Sequence, residues 1–271
     1  RRLKNDVLTE LPAKRRQIVE LPSDGLEDVL KEEAEAMAVS EDTLAELRAR
    51  VAAAELADDE AQYAEMSSEL SEKLQKASMV AFDEMSAARR RVSVAKLPMV
   101  IEHVRSVLDQ NGKVVVMAHH RDMVEALQAA FAADGAVKLY GGMNDADKDA
   151  AVQAFQNDPA CRVFVGGIKA AGVGLTLTAS AHVVFAELDW VPGVVTQAED
   201  RCHRIGQTES VLIQHLVLEG SLDARMVKFI VRKQEVIDRA LDKDPLKLEG
   251  GVPVLQVTLG SVLEEDPKKA T

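Results

Sequence analysis

The sequence predicts an α/β fold: a parallel sheet flanked by helices, with a helical segment inserted near the start of the chain. Two observations predict it. From residue 96 onward, short apolar runs alternate with helical stretches of about 10–15 residues, which is typical of βαβ units. Residues 24–90, in contrast, are rich in Ala, Glu, Asp, Met and Leu, contain Gly25 as their one glycine and repeat apolar residues at helical spacing.

Local signals define each element in turn. The predicted strands are RRQIVEL, KVVVMA, VKLY, CRVFVGG, HVVFAE and VLIQHLVL. We predict two or three helices within 24–90. The helices that follow are LPMVIEHVRSVLDQ, RDMVEALQAAFAADG, DADKDAAVQAFQND, one from about Val194 to His203, and one from Ser221 to about Leu241. Asn111-Gly112 ends the first of these, Gly135 ends the second, and Asp145 is placed to cap the third.

These elements divide the chain into four segments. Residues 1–23 are basic and mixed, residues 24–90 form an acidic helical insertion, and residues 91–241 form the α/β domain. Residues 242–271 are a C-terminal extension with one candidate strand, VPVLQVTL, and a charged tail.

The net charge is distributed unevenly along the chain. The 45 acidic and 33 basic residues give a net charge of −12, which taken as an average argues against a nucleic-acid binder. Residues 24–84, however, hold 18 acidic and five basic residues, and the rest holds 27 and 28. The argument against nucleic-acid binding therefore does not apply to the α/β domain. The charge does still exclude a broad basic surface. We expect at most weak affinity for nucleic acid from this chain alone.

Several classes of protein are excluded by composition. No apolar run approaches the roughly 20 residues of a membrane span, and no signal-peptide pattern is present. Cys161 and Cys202 are too few for a disulfide framework and lack metal-ligand spacing. We expect no membrane partner, no bound metal and a reducing cytoplasm, and the Ala-rich, aromatic-poor composition favours a bacterium or a phage host.

Polar or glycine-rich sequence follows four predicted strands, at the edge where ligands bind in parallel sheets. These stretches are His119, His120 and Arg121; Gly141 and Gly142; Gly166 to Gly174; and Glu187 to Trp190. Together they predict a functional edge.

Two motifs carry candidate chemistry. In AGVGLTLT, Ala171 to Thr178, the glycines allow main-chain amides to approach a phosphate, although a loop that only turns the chain is an equal alternative. In TQAEDRCHRIGQT, Gln197, Arg201 and Arg204 are spaced to share one face of a helix. Such arginines usually form a solvated surface or salt bridges, but they could also stabilise charge on a transferring phosphoryl group. We interpret His203, between them, as structural.

At these residues the sequence resembles the Swi/Snf-type ATPases of helicase superfamily 2. The stretch from GIKAAGVGLTLT to CHRIGQT resembles motifs V and VI, and KVVVMAHHRDMVEAL resembles motif IV. YGGMNDADKDAAVQAFQND resembles the block after motif IV, and RRLKNDVLTELPAK the segment that joins the two motor lobes. The combination of AKLPMVIEHV, MAHH and VVFAELDWVPGVVTQAEDRCHRIGQT resembles the DNA-annealing helicase branch of this family.

The resemblance implies the second RecA-like lobe of a double-stranded-DNA translocase, a P-loop-type lobe without a Walker A motif. It assigns Arg201 and Arg204 as arginine fingers and Gln197 as the motif VI glutamine. Gly174 and Asp200 join the arginines at the nucleotide. The residues that it places on the DNA backbone are His119, His120, Arg121, Gly141, Gly142, Gly172 and Thr176. The resemblance also implies ATP and Mg²⁺ as ligands, held mainly by the first lobe. That first lobe is, beside DNA, the other partner that the resemblance implies.

The sequence departs from the family pattern at two positions and lacks one motif. Lys148 stands where the family commonly has Arg, and Val191 where many members have Asn. No GxxxxGK[ST] is present, and Asp83-Glu84 follows no buried strand. The chain therefore holds half of an ATPase site, and we expect no ATP hydrolysis by it alone.

The role of residues 24–90 has two interpretations. The first is a solvated helical protrusion without a specific role. The second is a regulatory arm that binds a basic partner or masks the DNA surface. A different class of function, a non-enzymatic helical interaction module with an inactive lobe, requires the arginine motif to be accidental.

Overall fold

The computed structural model describes residues 12–54, 60–171, 174–189, 191–228 and 231. The elements, in chain order, are β1 (Lys14–Leu21), α1 (Glu27–Ala54), α2 (Glu60–Asn111), β2 (Val114–Ala118), α3 (Arg121–Ala130), β3 (Val137–Leu139), α4 (Asp145–Asn157), β4 (Val163–Gly167), α5 (Ile168–Ala171), β5 (His182–Phe185), α6 (Pro192–Glu199) and β6 (Val211–Leu218). Residues 222–228 are also helical.

The chain divides into two compact units. The first comprises Arg1–Pro22, Lys96–Glu219 and Asp223–Thr271, and the second comprises Ser23–Ala95 with Gly220–Leu222. The candidate strand at VPVLQVTL, most of the helix expected up to Leu241, Gly172 and Trp190 lie outside the described residues. In the part of the chain that is described, no helix is both long and apolar enough to cross a membrane.

The first unit is built on a six-stranded parallel sheet with the order β1-β6-β5-β2-β4-β3. The predicted parallel α/β sheet is therefore confirmed. Every residue of β2 and β4 is buried, as expected for strands covered on both faces. Four phenylalanines, at 131, 155, 164 and 185, are fully buried around these strands.

Two turns of this unit show how local signals fix the elements. Gly135 adopts a left-handed conformation (φ 68°) after a single 3-10 turn that follows α3. The predicted cap of α4 at Asp145 is wrong by one residue. Asn144 is the cap, and its side chain accepts a hydrogen bond from the N–H of Asp147. Asp145 instead lies in the first helical turn, where it pairs with Lys148 at 2.8 Å.

The second unit contains α1 and the first part of α2. A separate helix beginning near Leu97 was predicted, and this prediction is wrong. The 52-residue α2 continues through Pro98 to Asn111, and the boundary between the units falls inside it at Ala95. Within this unit the buried carboxylate of Glu33 accepts the main-chain N–H of Leu222 at 2.7 Å.

Candidate functional site

The predicted site residues lie at both edges of the sheet. The segment after β4 has reached the amino edge by Ser180, whose hydroxyl donates to the carbonyl of Lys113, just before β2. Helix α6 starts after β5 and also ends near the amino edge, because Asp200 contacts Lys14, the first residue of β1. The prediction that Arg201 and Arg204, which follow α6, lie at the carboxyl edge with the other strand-end loops is therefore wrong.

At the carboxyl edge, Glu187 organises the two histidines that follow β2. Its carboxylate is 1% exposed, and Oε2 accepts the main-chain N–H groups of His119 and His120 at 2.7 and 2.8 Å. Oε1 accepts a hydrogen bond from Nδ1 of His120 at 2.6 Å. The main-chain amides of both histidines are therefore engaged within the protein. Because Nε2 of His120 is also buried, a side-chain contact of this pair with a ligand would use the imidazole of His119.

A second carboxylate, Asp189, extends this cluster. Its Oδ2 lies 3.1 Å from Nδ1 of His119 and 3.9 Å from Nζ of Lys169, and Oδ1 accepts the N–H of Val191. Burial raises the pKa of Asp189, but His119, Val191 and Lys169 together lower it below its ordinary value. Lys169 is 72% exposed and was not identified from the sequence, because a single lysine on a surface helix has no distinguishing pattern.

The structure brings Arg121 next to the glycines that follow β3. The Arg121 guanidinium lies 4.5 Å from the centre of the Tyr140 ring, and Nε donates to Glu125 at 2.9 Å, which raises the pKa of Arg121. Gly141 and Gly142 form an exposed turn directly after Tyr140. A Cβ at either glycine would meet no atom within 4 Å, so their main chain is open to an approaching ligand.

The other cluster joins the two predicted motifs. Nη1 of Arg204 donates to the carbonyls of Gly174 and Leu175 at 3.4 and 3.2 Å. The N–H of Leu177 donates to the carbonyl of Arg201 at 2.9 Å. Thr176 lies, half-buried, between these contacts. The loop at Gly174–Leu177 and the turn at 201–204 are thus one structural unit.

The predicted helix from Val194 to His203 is too long. Helix α6 ends at Glu199, and the following N–H groups of Arg201 and Cys202 bond three residues back instead of four. Gln197 is exposed on the helix, whereas Arg201 and Arg204 lie on the turn after it. The prediction that these three residues share one face of a helix is therefore wrong.

Gln207, four residues before β6, connects the same two loops through hydrogen bonds of its side chain. Its buried Nε2 donates to the carbonyls of Ser180 and Cys202 at 3.0 and 3.3 Å, and it also lies 3.4 Å from the carbonyl of Thr178. His203 is buried, and its Nε2 donates to the carbonyl of Pro12 at 2.7 Å. This hydrogen bond agrees with the structural role expected for His203.

Sequence reasoning missed the buried carboxylate of Glu199. Arg16 binds it with Nε at 3.0 Å and Nη2 at 2.6 Å, and Lys14 Nζ lies 3.1 Å from the same carboxylate. His215 Nε2 lies 3.6 Å away. Burial raises the pKa of Glu199, but His215, Arg16 and Lys14 outweigh burial and hold it well below its ordinary range. Lys14 also reaches Asp200 at 3.2 Å, so the carboxylate predicted to face the nucleotide is bound to β1.

Comparisons with known proteins identify the type of domain that carries these motifs. Residues 95–206 match the helicase conserved C-terminal domain. The human DNA annealing helicase and endonuclease ZRANB3 is 38% identical over 60% of this chain and 16% of its own length. The SWI/SNF-related matrix-associated actin-dependent regulator of chromatin subfamily A-like protein 1 of Xenopus tropicalis is 33% identical over 89% and 23%.

A solved structure has the same fold. The SWI2/SNF2 ATPase core of Sulfolobus solfataricus, determined in complex with double-stranded DNA, aligns with a TM-score of 0.52 and 19% identity over 86% of this chain and 47% of that one.

The fold and the two joined motifs define a helicase-type RecA-like C-terminal lobe. The chain belongs to the Swi/Snf-type ATPases of helicase superfamily 2. It spans about a sixth to a quarter of the length of the two curated relatives described above.

Proposed function

We propose that the chain is the C-terminal motor lobe of an ATP-dependent double-stranded-DNA translocase. The observation that carries this proposal is the contact of Arg204 with the carbonyls of Gly174 and Leu175. A guanidinium has five N–H donors in a planar fork, so Arg204 can hold this loop and still offer donors to a phosphate. One side chain then connects the loop of motif V to the nucleotide.

In this proposal the arginine turn completes an ATP site whose phosphates and Mg²⁺ are held mainly by the first lobe. Arg204 is exposed and Arg201 half-buried on the turn after α6, and exposed Gln197 lies on the preceding helix. ATP supplies the phosphoryl group, and these side chains orient it and stabilise the charge that develops on it.

DNA contacts belong to the carboxyl edge. Arg121, the open turn at Gly141–Gly142 and the imidazole of His119 offer donors without a base-reading element. Contacts of this kind position a duplex and carry no sequence information, which suits a tracking motor. Similarity to the DNA annealing helicase and to the DNA-bound ATPase core supports DNA as the partner, and a cytoplasmic location fits this role.

The test is DNA-stimulated ATP hydrolysis by the full-length protein. Arg204→Ala should lower kcat by about 10³–10⁵-fold, the range known for arginine fingers. Arg91→Ala is the matched control, because Arg91 is half exposed in the second unit and pairs there with Glu32. The present chain alone should hydrolyse no ATP. Retained hydrolysis in both Arg201→Ala and Arg204→Ala would favour the inactive scaffold instead.

A further inference from the structure

A continuous set of contacts connects β1 to the arginine turn inside the first unit. β1 begins directly after Pro12 and Ala13 and is an edge strand, paired only with β6 among the described strands. The carbonyl of Pro12 accepts a hydrogen bond from His203, one residue before Arg204. The start of this strand is therefore joined directly to the turn.

Two basic side chains of β1 reinforce the junction. Lys14 contacts Glu199 and Asp200 together, at 3.1 and 3.2 Å, and Arg16 adds three close nitrogen–oxygen contacts to Glu199. Glu199 is the last residue of α6, and the main chain runs from it through Asp200 into Arg201. Two acidic residues thus face two basic ones at the point where the helix becomes the turn.

Because the side chains of this cluster are largely buried, their charged groups must stay closely aligned. The Glu199 side chain is 1% exposed, and those of Lys14 and Arg16 are 16% and 13% exposed. Charges withdrawn from water must keep close, well-aligned partners, because the loss of one leaves the others unpaired in a poorly solvating environment. The cluster therefore permits little independent movement of β1 and the end of α6.

We infer that this cluster (Lys14, Arg16, Glu199 and Asp200) is the positioning device through which β1 sets the location of Arg201 and Arg204. This inference rests on the proposed function. Glu199 is a positioning residue, which acts through the turn and touches no nucleotide. A shift of β1 moves Glu199 and Asp200, and they move the arginines, since the turn continues directly from them.

The experiment measures steady-state ATPase kinetics of the full-length protein with saturating DNA. Glu199→Gln keeps the side-chain size and removes the charge, and we expect kcat to fall by about 10²-fold, as for a displaced catalytic group, with KM for ATP changed less than about twofold. In an Arg201→Ala/Arg204→Ala background the same change should add less than about twofold, because its effect passes through these two arginines. Unchanged kcat in Glu199→Gln, or losses that multiply in the triple variant, would overturn the inference.

Lys14→Ala is the milder second variant, because Arg16 still covers Glu199, and it decides the question if Glu199→Gln does not fold. It should lower kcat in the same manner, and Lys14→Arg should restore it; no loss in Lys14→Ala would contradict the inference. Asp134→Asn, which breaks the 3.2 Å pair with Arg162 away from the turn, should leave kcat unchanged. Full activity of both Arg201→Ala and Arg204→Ala would instead refute the proposed function itself, so the two failures are distinguishable.

Discussion

His120 is held by Glu187 through both its main chain and its side chain. One carboxylate oxygen accepts the N–H of His120 at 2.8 Å, and the other accepts its Nδ1 hydrogen at 2.6 Å. The end of β2 is thereby fixed to the residues that follow β5, its neighbour in the sheet.

This relationship predicts a large stability effect. Glu187→Ala leaves two main-chain N–H groups and one imidazole without their acceptor, and should reduce the free energy of unfolding by about 3–5 kcal/mol. Glu187→Gln keeps one acceptor oxygen and should cost about 1–3 kcal/mol. Urea unfolding of this chain measures both. Glu125→Ala, which breaks a largely exposed pair with Arg121, should leave the free energy of unfolding nearly unchanged; equal losses in all three variants would contradict the assignment.

A second loss of unfolding free energy of similar size is expected when the fully buried Lys96 is replaced. Its Nζ donates to the carbonyl of Leu216 at 2.8 Å and lies 3.8 Å from the buried carboxylate of Asp223. Lys96→Met keeps the volume but leaves Asp223 without this cation, and should cost about 3–5 kcal/mol in urea unfolding. Lys31→Met, at an exposed pair with Glu35, should cost less than about 1 kcal/mol.

The lowered pKa of Glu199 predicts a specific pH dependence of stability. A carboxyl whose pKa is lower in the folded state stabilises fully above its unfolded pKa of about 4.3, and loses that stabilisation as the pH falls toward the folded value. The difference in unfolding free energy between the wild type and Glu199→Gln should therefore be constant above about pH 5.5 and shrink below about pH 5. Urea titrations from pH 7 to pH 3 measure it, and a difference that stays constant over this range would disprove the shift.

Two glycines that share the left-handed backbone conformation provide a matched pair of substitutions. Gly135 and Gly112 have φ of 68° and 76°, but a Cβ at Gly135 would collide with the carbonyl oxygen of Ala160, whereas one at Gly112 meets nothing within 4 Å. Gly112→Ala should cost about 1–2 kcal/mol for its conformation alone. Gly135→Ala should cost more, because Ala160 must also move. A thermal unfolding comparison decides this, and equal melting temperatures would show that the chain at Ala160 adjusts freely.

DNA binding at the carboxyl edge predicts a salt-dependent effect of Arg121. Loss of one phosphate contact should weaken binding by the full-length protein equally for duplexes of different sequence, and reduce the slope of log K against log salt by about 1. Fluorescence anisotropy of Arg121→Ala at several salt concentrations measures both. Arg105→Ala, at a residue that lies 6.0 Å from the Phe131 ring, is the control and should keep the wild-type slope. A loss confined to one duplex sequence would contradict a phosphate contact.

The strands were predictable because each carries its own signal. β2 and β4 are short, continuous apolar runs, and the structure buries every one of their residues. Helix ends were less predictable. α6 ends at Glu199, whose carboxylate is bound by Lys14 and Arg16 of β1, residues distant in sequence. α2 continues through Pro98, where the local sequence predicted a new helix.

The site divides in the same way. The sequence by itself determined the family and identified the candidate site residues Gly174, Arg201 and Arg204, because each belongs to a motif of neighbouring residues. Only the tertiary structure decided that Arg204 binds the loop at Gly174, and that Glu199 is buried between side chains of β1. The physical reason is sequence separation: Arg16 and Glu199 are 183 positions apart in the chain, and they meet because β1 pairs with β6 in the folded sheet.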